Sequence, residues 1–143
     1  MLQEIHAFYA PLAEEKGQWL QLELAAGLPG VVGDRGLLFE AIGNLLDNAI
    51  RFAPEGGRVQ LSAQVEEGAT SIVVEDSGPG IPHAERSLVF QRFHRAEASK
   101  GGGFGLGLSI VAAIAGLHGF RLQVAQSTLG GARFSLLCRP QLL

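Results

Sequence analysis

The sequence predicts an α+β domain: a two-layer sandwich in which a mixed sheet of about five strands carries helices on one face. Three observations support it. RVQLSAQV at 58–65 alternates, with Val59, Leu61, Ala63 and Val65 on one side, as a half-buried strand does. Two longer segments, Arg35 to Phe52 and Leu106 to His118, read as helices instead. Strands also return on themselves through short glycine turns, which favours antiparallel hairpins with separated helices.

Taken in order, IHAFYAPLAEEKG reads as a short helix or lead-in segment, interrupted by Pro11. WLQLEL alternates as a strand, and LPGVVGD is a turn-rich connection. Asp34 is placed to cap the helix from Arg35 to Phe52, and Ala53-Pro54 stops it. RVQLSAQV and SIVVED form strands around the turn EEGAT. SGPGIP is a glycine-rich loop, HAERSLVFQRF a short helix, and HRAEASKGGGFG a polar, glycine-rich stretch. LGLSIVAAIAGLH is a helix stopped by Gly119. FRLQVAQS and ARFSLLCR close the chain as strands around Gly130-Gly131.

Composition narrows the function. The 143 residues suit one domain, and 47% hydrophobic residues suffice for a core. A net charge of −3 argues against a nucleic-acid surface, which is normally basic. The one cysteine, Cys138, excludes a disulfide framework and a cysteine-rich metal site. The sequence has no apolar run long enough to span a membrane and no visible signal peptide, which predicts a soluble domain of a reducing compartment or a fragment of something larger.

Three stretches invite a chemical reading. At about 100° per residue, Glu40, Asn44, Asp47 and Arg51 share one stripe of their helix, with Asn48 beside it. Such a stripe is ordinarily a solvated face. Asparagine, however, is a poor helix former, and an amide oxygen is a suitable ligand for Mg²⁺. In EDSGPGIP the residues are those of a turn. Yet Asp76 follows a buried-looking strand end, and a carboxylate there suits an amino group such as that of adenine. In GGGFGLG at 101–107, five of seven residues are glycine, directly before an apolar helix. An idle loop would explain the glycines but not their position. A helix N-terminus binds phosphate where no Cβ intervenes.

Together these segments resemble the catalytic and ATP-binding domain of sensor histidine kinases, in the GHKL superfamily. NLLDNAIRFAPEGG is similar to the N box, EDSGPGIP to the G1 box, VFQRFHRA to the F box and GGGFGLGLSIV to the G2 box. STLGGARFSL resembles the trailing glycine box and last strand, so the likeness runs from about Ala13 to Arg139.

The resemblance implies the Bergerat fold, with Mg²⁺ and ATP as cofactors. It implies that Asn48 coordinates Mg²⁺, Asn44 sits near the phosphates, Arg51 contacts phosphate and Phe52 packs on adenine. Asp76 accepts the adenine amine, while Gly78, Gly80 and Ile81 shape the wall of the base pocket. Phe90 and Phe93 anchor a lid, which folds over ATP through the stretch before Phe104. Gly103, Gly105, Leu106, Gly107 and Leu108 bring backbone N–H groups to the phosphates. Asn44, Asn48 and Arg51 are the implied catalytic residues.

The sequence departs from the family at Phe104, where many members carry a small polar residue, and at Phe120, where a second glycine is common. None of His6, His83, His94 or His118 has the context of a phosphoacceptor. The resemblance therefore implies a kinase domain whose substrate histidine lies on a separate dimerisation domain. Residues 1–12 are read as the lead-in from that domain, and the rest of 1–143 as the single ATP-binding domain. Further implied partners are a response regulator and a second copy of the full-length protein, in the cytoplasmic part of a membrane-anchored sensor. Neither nucleic acid nor direct membrane contact is expected of this domain. Three readings stay open beside the kinase: a GHKL-type ATPase, a degenerate ATP-sensing or docking module, and a serine-kinase relative. The ATPase branch uses a glutamate to activate water; here the position one turn before Asn48 is Asn44, and Glu40 lies two turns before.

Overall fold

The computed structural model describes residues 1–91 and 106–139. Its elements run α1 (Leu2–Glu15), β1 (Trp19–Leu24), α2 (Arg35–Phe52), β2 (Arg58–Glu66), β3 (Ala69–Asp76), a 3-10 turn (His83–Glu85), α3 (Leu106–His118), β4 (Arg121–Gln126) and β5 (Ala132–Leu137). The five strands form one sheet in the order β1-β2-β3-β5-β4. Only the β1–β2 pair is parallel, so the sheet is mixed.

Period-two alternation decides which strand residues meet the helices. Val59, Leu61, Ile72, Val74, Phe134 and Leu136 are buried in one cluster with residues of the helices. The register aligns Leu61 with Val74 and Val74 with Phe134, so these side chains lie on one face across three strands. Helix α2 is the centre of the helical layer, packed between α1 and α3 and against β2 and β3. Its inner face buries Leu38, Ala41, Ile42, Leu45, Leu46 and Ala49.

Both ends of α2 have local causes. Asp34 is the N-cap, and its Oδ1 accepts a hydrogen bond from the Leu37 N–H at 2.9 Å. At the other end Ala53 turns to extended geometry before Pro54. The turn between β2 and β3 places Glu67 and Gly68 at φ of 52° and 75°, the pair of left-handed residues that a two-residue hairpin turn needs.

Two segments differ from the sequence expectation. Residues Leu2–Glu15 form a continuous 14-residue helix that includes Pro11. Ile5 and Ala13 are fully buried, and packing against α2 and β1 sustains the helix through the proline. Conversely, of the short helix expected at 83–93, residues 92–93 lie outside the described residues, and the described part, 83–91, holds only a 3-10 turn, His83–Glu85, followed by successive turns to Phe90. It has no side-chain cap, and its turns carry Val89 and Phe90 to the core, where Phe90 meets the Phe134 ring edge-on at 5.9 Å.

Because Asp34 caps the element that carries the polar stripe, Asp34→Ala should lower stability by about 1 kcal/mol. That corresponds to a fall of roughly 3 °C in Tm, measurable by thermal denaturation; an unchanged Tm would contradict the capping role.

Candidate functional site

The site is built where three segments meet beneath the C-terminal end of α2. Asp76 is the last residue of β3 and is 3% exposed. Its Oδ1 accepts hydrogen bonds from the N–H of Gly78 at 2.8 Å and of Ala132 at 3.3 Å. The Gly131 N–H donates to the Asp76 carbonyl at 3.0 Å. Oδ2 makes no hydrogen bond to another described residue. Burial pushes the Asp76 carboxyl above the ordinary carboxylate range, the neighbouring Glu75 charge adds to this, and the two amide hydrogen bonds oppose it.

Two glycines are sterically required. A Cβ on Gly131 would lie 2.1 Å from Asp76 Oδ1 and 2.6 Å from the Gly78 nitrogen. A Cβ on Gly78 would lie 2.7 Å from the Phe52 carbonyl oxygen. The end of α2, the loop after β3 and the start of β5 thus approach one another at backbone distance. Ser77 closes the same corner: its Oγ accepts from the Arg58 N–H at 2.8 Å.

The polar stripe of α2 forms a second wall. Asn44 and Asn48 are half-buried and Asp47 and Arg51 are exposed. A Cβ on Gly107 would lie 3.6 Å from Asn44 Oδ1, so the first turn of α3 abuts this asparagine. Neither asparagine side chain is hydrogen-bonded to another described residue. Arg51 pairs with Asp47 at 3.4 Å, both at the surface, a weak and readily exchanged pair.

Of the residues singled out in the sequence, Phe52, Asp76 and Gly78 converge at one corner, and Asn44 with Gly107 at another. Asn48 and Arg51 follow Asn44 along the same helix face. Gly80 takes a φ of 75° and its Cβ position lies 3.5 Å from the Gly131 backbone. Ile81, Phe90 and Leu108 are partly buried against the core. Phe93, Gly103, Phe104, Gly105 and the proposed lid lie outside the described residues, as does the side chain of Leu106.

Sequence reasoning did not single out Gly131 and Ala132 as partners of Asp76. The double glycine was the available signal, but it read equally well as a hairpin turn. Lys16 and Gln18 were missed as well. Their side chains donate to main-chain carbonyls of residues 50–53, and nothing in a lysine after a helix announces such a contact.

The family model described as "Histidine kinase-, DNA gyrase B-, and HSP90-like ATPase" matches residues 33–142. The chain belongs to this family. Within it, the chain has the fold and sequence of a histidine kinase ATP-binding catalytic domain. It is 38% identical over 137 residues to the alginate biosynthesis sensor protein KinB of Pseudomonas aeruginosa, covering 96% of this chain and 23% of KinB. The solved structure of the mycobacterial sensor histidine kinase MprB superposes with a TM-score of 0.81 at 32% identity, covering 98% of this chain and 97% of that one. Full-length ShkA in complex with AMPPNP superposes with a TM-score of 0.81 at 28% identity, covering 99% of this chain and 30% of ShkA. The chain spans about a fifth to a quarter of the length of the curated relatives it matches.

The environment of Asp76 has a consequence for stability. A carboxyl whose folded pKa is raised contributes most below its unfolded pKa, and that contribution is lost as pH rises through the folded value. Asn can still accept both backbone hydrogen bonds without a buried charge. Asp76→Asn should therefore be at least as stable as the unaltered chain at pH 7, with the difference closing as pH falls through the raised pKa. Thermal melts between pH 4 and 8 read this directly, and a variant several degrees less stable at pH 7 would contradict it.

Proposed function

We propose that this chain is the catalytic domain of a sensor histidine kinase, and that it binds Mg²⁺–ATP between α2, the Asp76 loop and the start of α3. In this reading it delivers the γ-phosphoryl group to a histidine on a separate dimerisation domain. The observation that carries the reading is the state of Asp76. It is a buried carboxylate with Oδ1 engaged by two backbone amides and Oδ2 without a described partner. An acceptor oxygen held this way suits the amino group of adenine.

The other residues fall into place around that contact. Gly78, Gly80 and Ile81 form the wall of the base pocket, and the Phe52 ring covers the base from α2. Arg51 exchanges its surface partner Asp47 for phosphate. The N–H groups of the first turn of α3, at Gly107 and Leu108, face phosphate without an intervening Cβ at Gly107. The amide oxygens of Asn48 and Asn44 suit Mg²⁺, which takes a few protein oxygens and keeps waters. Among the described residues no group of three or more His, Cys, Asp or Glu could hold a metal. Bound Mg²⁺ supplies charge neutralisation at the phosphates.

Transfer then consists of in-line attack by the acceptor imidazole nitrogen on the γ-phosphorus, with the bond to ADP breaking as the new P–N bond forms. The protein's contribution is position and charge stabilisation. Asn44 carries no carboxylate, so it cannot activate water in the way an ATPase glutamate does. Two of the described histidines are engaged within the fold. His118 accepts from the Asp34 N–H through Nε2 at 3.0 Å, and its Nδ1 lies 2.8 Å from the Ile114 carbonyl oxygen. His6 Nε2 bonds the Leu20 carbonyl at 2.9 Å.

In the full-length protein the domain would act as part of a homodimer that passes phosphate on to a response regulator. The place of this domain would be the cytoplasm. Among the described residues no helix is long and apolar enough to cross a membrane.

The test uses γ-labelled ATP. The chain alone should acquire no stable acid-labile label and release phosphate slowly. A histidine-bearing dimerisation hairpin added in trans should become labelled, and labelling should be lost with Asp76→Asn. Stable label on the chain alone, or rapid phosphate release, would contradict the proposal.

A further inference from the structure

The C-terminal end of α2 is held by side chains from outside the site. Lys16, just after α1, directs Nζ at the carbonyl oxygens of Ile50, Arg51 and Ala53, at 2.8, 2.6 and 3.1 Å. Gln18 is 2% exposed. Its Nε2 donates to the Ile50 and Ala53 carbonyls, at 2.8 and 2.7 Å. Between them the Gly17 carbonyl accepts from the Gly56 N–H at 2.8 Å.

The last carbonyls of a helix have no intrahelical donors, and glycine in the left-handed conformation commonly ends the helix and satisfies them. Here Ala53 is extended at φ −68° and ψ 139°, so that device is absent and the carbonyls turn to Lys16 and Gln18. The ammonium also complements the negative end of the helix dipole. The Phe52 carbonyl is left out of this clamp, and it is the one against which Gly78 packs.

Gln18 adds a second, independent sign. Its Oε1 is buried without a hydrogen-bond partner. The amide cannot be reversed to relieve this, because only the NH₂ group can serve two carbonyls. A buried orphan acceptor calls for a reason, and the two bonds made by Nε2 supply one.

We infer that Lys16 and Gln18 are positioning residues of the nucleotide site: they fix the last turn of α2, and through it Arg51, Phe52 and the Phe52–Gly78 contact that bounds the base pocket. The inference rests on the proposed nucleotide contacts of Arg51 and Phe52. It also ties the α1–β1 junction, 32 to 37 residues away in sequence, to that pocket.

Calorimetric titration of the whole chain with a non-hydrolysable ATP analogue and Mg²⁺ tests this. Lys16→Met should weaken binding about fivefold or more, and Lys16→Arg, which keeps the charge and the donors, should restore it. Gln18→Glu places a carboxylate against two carbonyl oxygens and should bind poorly at pH 8. Its deficit relative to the unaltered chain should narrow as pH falls, because a protonated carboxyl regains a donor. A folded Lys16→Met variant that melts earlier but binds like the unaltered chain would reduce the clamp to an ordinary helix cap. Equal losses of affinity in Lys16→Met and Lys16→Arg would overturn the role given to the charge and its donors. If the unaltered chain itself failed to bind, the nucleotide reading would fall and this role with it; unaltered binding with indifferent variants overturns the positioning role alone.

Discussion

A carboxylate at the buried end of a core strand is the constraint on which this structure turns. Asp76 loses most of its hydration, and two backbone amides offset only part of that loss. To bring both amides within reach, β5 must lie directly beside β3, and the chain must close on Asp76 without a side chain at Gly131. An asparagine would satisfy the same amides without burying a charge. The aspartate is therefore poorly explained by stability, and it fits the proposed role of an acceptor that a ligand amine completes.

The surrounding fold serves that corner. α2 is central in its layer, and its buried face fixes where its polar stripe points. The same helix delivers Asn44 to the start of α3 and Phe52 to the loop after β3. The proposed nucleotide pocket, assembled from one helix, one loop and one strand start, depends on the helix ending at a fixed place. Pro54 stops it locally, and Lys16 and Gln18 hold its final carbonyls from across the domain.

Much of this was legible in the sequence where the causes are local. The bounds of α2 follow from Asp34 and Ala53-Pro54, and β2 follows from its alternating valines, leucine and alanine. Asp76 and Gly78 were legible because strand, acid and glycine follow one another directly. The extent of α1 was not, since Pro11 argues against a helix that tertiary packing sustains. In the described part of 83–93 no regular helix forms beyond the 3-10 turn, because Val89 and Phe90 reach the core through turns. The contacts of Gly131, Lys16 and Gln18 were hidden for one reason: each joins segments more than 30 residues apart, and no local pattern encodes such a meeting.

The most direct test of the account compares ATP with purine riboside triphosphate, which lacks the amino group that Asp76 is held to accept. If Oδ2 accepts that amine, removing it forfeits a hydrogen bond to a charged group, worth about 1.5–3 kcal/mol, and affinity should fall by roughly one to two decades. Equal affinity for the two nucleotides in calorimetric titration of the unaltered chain would contradict the account at its centre.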